Sequence, residues 1–349
     1  MSENGGLTGQ GGPRRPPWAR FLFLRSVQLV TAFWVLATIA VFLIVGDGEL
    51  PFGERPSLEG VLLAGQVING WATLGIALIL IGVTFLITSG RAVPDMAARA
   101  PEKTVALAET AALVGYSVLV QFGGLLLGRA VGDHAISLHM HGTLYGTEDP
   151  LSPRETVVWM LYNFIFYALL PYLFFRSRGY SNEQLNLKSS NRANDALLIV
   201  VILVLESAIE LSLVSSAILG LEANQLLMGI PLSFLLNLFG TGFPIMIFIY
   251  AILLPRFLKL TGSVAATIVL GGVAYATIHF FEAWTTYDTV ANGMLSVIFL
   301  MFQYFGPGMV KSVLTLRTGN AWVHLWAYHA IAPHVTVDTP NIVNVFKLG

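Results

Sequence analysis

The stretch VAATIVLGGVAYATIHFFEAW, residues 264–284, decides the class of this fold. Apart from His279 and Glu282 it is apolar or weakly polar, and about 20 such residues suffice for a helix to cross a bilayer. The two polar residues are three positions apart, so they share one face of a helix, and both are costly in hydrocarbon. We therefore expect a transmembrane helix whose polar side chains face an interior site.

The whole chain has the composition of a membrane protein. Of its 349 residues, 55% are hydrophobic and 11% are charged, and the mean hydropathy is +0.71. A soluble domain needs more charge to cover its surface, so we expect an all-α, polytopic integral membrane helix bundle. The net charge of −1 gives no reason to expect a nucleic-acid partner. The absence of cysteine excludes disulfides and thiolate metal ligands.

Apolar runs long enough to span predict about 8–9 transmembrane helices. They lie at about 21–45, 60–88, 104–128, 156–175, 195–220, 226–254, 264–284, 292–313 and 320–337. The sixth run is interrupted by glycine and proline at 240–244, so we expect a kinked or broken helix there.

The chain divides by composition into tails and membrane segments. The predicted organisation is a disordered cytoplasmic tail at 1–19, N-terminal transmembrane helices at 20–194, a transmembrane core at 195–337 and a C-terminal tail at 338–349. With nine spans and the N-terminus inside, fifteen of the nineteen lysines and arginines fall on the cytoplasmic side and four outside. This asymmetry predicts a multi-pass protein of the cell membrane with a cytoplasmic N-terminus.

Ionisable side chains occur at similar depth in three of the predicted spans. Glu206 and Glu210 are one helical turn apart in the fifth span, His279 and Glu282 lie in the seventh, and His329 lies in the ninth. At about 1.5 Å rise per residue, all five fall roughly 18–30 Å from the cytoplasmic boundary. Imidazoles and carboxylates are ligands for Zn²⁺ or non-haem iron and can also act as general acids or bases.

A second histidine-rich segment lies between the third and fourth spans. Residues 133–141 contain His139 and His141 in a His-x-His arrangement that could bind a metal. Histidines in an outer loop are more often solvated, so this is the weaker of the two metal hypotheses.

The last hundred residues resemble the CAAX-protease and bacteriocin-processing (CPBP) family of intramembrane metalloproteases. The resemblance rests on LLPRFLKLTGS at 253–263, YATIH at 275–279 and RTGNAW at 317–322, followed by His329. It implies that His279 and His329 correspond to the two family histidines.

The chain departs from the family pattern at two places. The paired glutamates of the first motif would fall on Ile245 and Met246, and the motif's arginine on Tyr250. The asparagine of the third motif falls on Pro333, with His334 beside it.

The resemblance implies a metal-dependent intramembrane endopeptidase acting on a membrane-embedded or lipidated peptide, with a rebuilt site. We expect His279, Glu282 and His329 to bind a divalent metal, Zn²⁺ or Fe, and Glu282, Glu206 or Glu210 to supply the base. Two alternatives remain: an inactive membrane scaffold or immunity-type protein, and a proton-coupled secondary transporter. Membrane lipids are the expected surroundings, and the sequence leaves the oligomeric state open.

Overall fold

The structure, a computed structural model, describes residues 24–52, 61–141 and 151–349. The predicted disordered tail at 1–19 lies outside these ranges. The described chain is helical without β-strands, and seven of its helices are long and apolar enough to cross a bilayer. The predicted all-α membrane helix bundle is confirmed.

The helices follow the apolar runs of the sequence. The long ones are α1 Arg25–Val45, α2 Leu63–Ile87, α3 Lys103–Ala130, α4 Pro153–Ser177, α5 Arg192–Val214, α6 Ala223–Thr261 and α8 Val290–Thr318. The shorter ones are α7 Val264–Thr277, α9 at 321–329, α10 Ala332–Thr336 and α11 Thr339–Phe346. The last of these occupies most of the predicted C-terminal tail and packs on the first half of α6.

Helix α6 is the central element of the bundle. Every side chain from Ile245 to Leu254 is buried, so this segment of the helix is surrounded by protein on all sides. The sequence predicts a kinked or broken helix at 240–244, and the structure shows a helix that is continuous through these residues. The backbone instead widens into two π-helical turns, Leu238–Gly242 and Met246–Leu253, and neighbouring helices enclose the residues concerned.

The seventh and ninth apolar runs fold differently from a full span. Helix α7 ends at Thr277, and residues 278–289 form turns before α8 begins. The ninth run is divided between α9 and α10, whose side chains are nearly all buried inside the bundle. His279 and Glu282 therefore lie just beyond a helix end, where turns can aim them inward.

Small residues bring α7 and α8 into close contact. A Cβ on Gly308 would lie 2.7 Å from the Cβ of Tyr275 and 2.8 Å from the Cα of Gly272. Glycine at these positions lets the two backbones approach, as small residues commonly do between membrane helices. This contact fixes Tyr275, whose neighbours include the candidate site.

Candidate metal centre

The segment 131–141 after α3 folds back into the bundle instead of extending into solvent. It lies on a glycine face of α3, where the amide of Ile136 donates to the carbonyl of Gly124 at 3.1 Å. At Gly128 an added Cβ would overlap the carbonyl oxygen of His134. Two glycines four residues apart thus make the groove that holds this re-entrant loop.

Helix α4 anchors the same loop from the other side. The indole of Trp159 donates to the carbonyls of Ser137 and Leu138 at 3.1 and 3.2 Å. The amide of Asn163, one turn further along, also donates to the carbonyl of Ser137 at 3.1 Å. These bonds satisfy the loop carbonyls inside the bundle and present the next residue, His139, to the interior.

The turns after α7 supply the second part of the site. The ring of His279 is held through Nδ1, which lies 2.5 Å from the carbonyl of Tyr275. An N–H on Nδ1 facing a carbonyl leaves the lone pair on Nε2, the arrangement usual for a metal-binding imidazole. Burial raises the pKa of Tyr287 in the same turns to about 12, so its hydroxyl stays protonated and donates to the carbonyl of Phe280.

His139, His279 and Glu282 converge into what we call the metal cluster. One ligand atom from each lies within 4.8 Å of the others, and the residues are 5%, 1% and 2% exposed. Glu282 Oε1 accepts from the backbone amide of His139 at 3.1 Å and lies 3.3 Å from its Nδ1. The Nε2 of His279 and the Oε2 of Glu282 have no hydrogen-bonding partner.

The chemistry of this set fits a divalent ion. Two imidazoles and a carboxylate are the three protein ligands of many catalytic zinc sites, which keep a fourth position open. Ligand atoms on one tetrahedral zinc are about 3.4 Å apart, since each bond is about 2.1 Å long. The widest separation here exceeds that by roughly 1.4 Å, which side-chain rotation within two non-helical segments can close.

Tyr304 of α8 completes the wall of the metal cluster. Its ring stacks on His279 with centroids 3.9 Å apart and planes 12° from parallel. Its hydroxyl lies 3.3 Å from the Nδ1 of His139. The tyrosine therefore holds both imidazoles in position and shields them from the surrounding hydrocarbon.

His329 lies beside this cluster and not within it. Its ring is 5.1 Å from that of His334 and 6.0 Å from that of Tyr275, measured between centroids. Neither of its nitrogens has a hydrogen-bonding partner although the residue is only 1% exposed. His334 in turn is held by Asp338, whose Oδ2 lies 2.9 Å from the histidine Nδ1.

Glu206 and Glu210 belong to a separate group, the carboxylate–lysine cluster. Both carboxylates interact electrostatically with Lys311 of α8, and Glu206 hydrogen-bonds the hydroxyl of Tyr328. The ammonium of Lys311 lies 3.5 Å from the centre of the Tyr275 ring. Tyr275 therefore lies between this group and His279, and the two glutamates are neighbours of the metal cluster without joining it.

The positions aligned with the first CPBP motif carry neither a carboxylate nor a guanidinium group in this fold. Ile245 and Met246 are buried apolar side chains, and the Tyr250 hydroxyl donates to the carbonyl of Gly308 at 3.2 Å. The carboxylate in the metal cluster is that of Glu282. His139 enters from the segment that the sequence favoured as a solvated outer loop.

Comparison with known proteins returned no relative. No protein-family model matches this chain, and neither the curated proteins nor the solved structures gave a match. The geometry of the buried site is therefore the basis for the function proposed below.

Proposed function

We propose that the chain is a metal-dependent intramembrane hydrolase, with peptide bonds of membrane-embedded or lipidated substrates as its target. The observation that carries this proposal is the fixed, unpartnered Nε2 of His279 next to His139 and the unpartnered Oε2 of Glu282. Leaving a buried polar atom without a partner costs about 1–3 kcal/mol. A bound cation would satisfy both atoms at once.

The residues around the proposed ion have distinct tasks. His139, His279 and Glu282 would hold a divalent ion, for which Zn²⁺ suits the N/O ligand set, and the ion would make water nucleophilic near neutral pH. Tyr275 fixes the tautomer of His279 through its carbonyl, and Tyr304 packs over the ring. Burial of all three ligands excludes bulk water and strengthens their electrostatic interactions.

The proposal places the protein in the cell membrane with its N-terminus in the cytoplasm. The orientation is supported by three arginines predicted to be cytoplasmic, which bind neighbouring residues at one end of the bundle. Arg91 donates to the carbonyl of Thr318 at 2.9 Å, Arg99 donates to that of Gly319 at 2.6 Å, and Arg317 donates to Thr88 at 2.8 Å. Basic side chains gathered at one end of a bundle are typical of its cytoplasmic face.

The test is zinc binding and hydrolysis by protein reconstituted in lipid vesicles, using quenched fluorescent peptides that contain an apolar segment. We expect cleavage that a zinc chelator abolishes and that is lost in His279→Ala. His324→Ala is the matched control, because His324 is also fully buried but contacts Tyr250 and not the metal cluster. Full activity in His279→Ala, or chelator-resistant cleavage, would refute the proposal.

The carboxylate–lysine cluster favours a second candidate, proton-coupled transport. Glu206, Glu210 and Lys311 are 3%, 6% and 1% exposed, and buried ionisable groups in membrane helices often line ion pathways. A transporter would show uptake driven by a pH gradient, insensitive to chelator and reduced by Glu206→Gln. A scaffold would show neither cleavage nor uptake and would retain a protein partner through detergent extraction.

A further inference from the structure

Beside the metal cluster lies a second pair of imidazoles that the proposed hydrolase does not yet use. His329 and His334 are 1% and 2% exposed, and both nitrogens of His329 and the Nε2 of His334 have no hydrogen-bonding partner. Buried polar atoms in a native protein nearly always have a partner, so three such atoms in two adjacent rings require a physical explanation.

The distance between the His329 and His334 rings fits two imidazoles that bind one ion together. With zinc–nitrogen bonds of about 2.1 Å, the centres of two imidazoles on one tetrahedral ion are about 5 Å apart. The His329–His334 pair measures 5.1 Å and the His139–His279 pair measures 4.8 Å. The His139–His334 separation is longer, 6.0 Å, whereas the separations within the two pairs are each consistent with joint binding of one ion.

The outer contacts of His334 also resemble those of a metal ligand. Its Nδ1 faces Asp338 Oδ2 at 2.9 Å, which favours the tautomer with the lone pair on Nε2. A carboxylate behind an imidazole both orients the ring and makes it a better ligand. Asp338 is itself 2% exposed, and its other oxygen has no partner, so the carboxylate is committed to the histidine.

We propose that His329 and His334 bind a second divalent ion next to the one held by the metal cluster. The proposal rests on the proposed metal-dependent function and extends it to a two-metal site. The two pairs are adjacent, because the ring centroids of His139 and His334 lie 6.0 Å apart. In two-metal hydrolases the ions lie about 3.5–4 Å apart and stabilise the attacking and leaving oxygens together.

The experiment counts zinc ions per chain. Purified protein in detergent is equilibrated with Zn²⁺, freed of excess ion and analysed for zinc and protein content. We expect two zinc ions in wild type, one in His334→Ala and one in His329→Ala. His324→Ala is the control and should retain two, because its ring lies 6.4 Å from His329 and outside both pairs.

The outcomes separate this proposal from the function on which it rests. One zinc in wild type, with the same count in His334→Ala, overturns the second ion and leaves the metal-dependent hydrolase standing. No zinc in wild type overturns both. If His334→Ala does not fold, Asp338→Asn provides the second test: it should weaken one of the two zinc sites by about 10- to 100-fold and leave the other unchanged. Equal affinities in Asp338→Asn and wild type would contradict the proposal.

Discussion

Gly128→Ala is the most direct test of how the re-entrant loop positions His139. In the present fold the new Cβ would overlap the carbonyl oxygen of His134 and lie 2.9 Å from the Cα of Ala135. Ordinary van der Waals contact begins at 3.4 Å. The Cα of Ala135, at 2.9 Å from the new Cβ, must therefore move away by at least 0.5 Å. A shift of the loop backbone disturbs the amide of His139, which donates to Glu282 Oε1 at 3.1 Å and joins the loop to the rest of the metal cluster.

We expect Gly128→Ala to weaken zinc binding by about 10- to 100-fold, the effect usual when the support of a ligand is lost. This corresponds to about 1.4–2.7 kcal/mol of binding free energy. Affinity is measured by competition with a fluorescent zinc chelator in detergent. The matched control is Gly115→Ala on the same helix, where nothing lies within 4 Å of the added Cβ. Equal zinc affinity in the two variants would refute this account of the loop.

Two further predictions concern a buried ion pair and which histidine of the re-entrant loop binds zinc. Arg256 and Glu109 form a pair at 2.7 Å with side chains 2% and 12% exposed, so Glu109→Ala should lower the free energy of unfolding by about 3–5 kcal/mol in thermal or denaturant unfolding. Glu183→Ala, which removes the exposed ion pair with Lys188, should lower the free energy of unfolding by less than about 1 kcal/mol. Equal losses of stability in the two variants would contradict the argument. His139→Ala should remove the zinc ion held by the metal cluster, and so lower the zinc content by one ion per chain, while His134→Ala leaves the content unchanged, as measured by elemental analysis; the reverse pattern would exclude the metal cluster as a binding site.

Much of the fold follows from composition and length. The runs predicted at 21–45, 60–88 and 104–128 correspond to α1, α2 and α3 within four residues at each end, because the bilayer sets the length of an apolar helix. The expected kinked or broken helix at 240–244 is a continuous helix, α6, whose backbone widens into π turns there. Glycine and proline are poorly tolerated in a membrane helix where the backbone groups that they leave without hydrogen bonds face lipid. In α6 the surrounding helices and the π turns accommodate these groups.

Part of the candidate site could be predicted from the sequence. The three-residue spacing of His279 and Glu282 predicted that they share one face of a helix. That premise was wrong, since both residues lie in turns beyond the end of α7 at Thr277, but the structure still brings them together. His139 was missed as a principal ligand because it lies 143 residues from Glu282 and because loops between spans are usually solvated. The sequence contains only an indirect indication of the loop's position. Two glycines on α3, and Trp159 and Asn163 on α4, are each spaced by four residues, and in the structure they hold the loop between the two helices.

The separation of the ligands along the chain has a consequence for biosynthesis. The loop that carries His139 is anchored at Ser137 and Leu138 by Trp159, which follows His139 by only 20 residues, whereas Glu282 is made 143 residues after His139. At about 5–20 residues per second, translation leaves an interval of roughly 7–30 s between the two. The hairpin of α3, loop and α4 can thus assemble in the membrane well before the rest of the ligand set exists. Ion loading would then be a late step in maturation, after the C-terminal helices have been inserted.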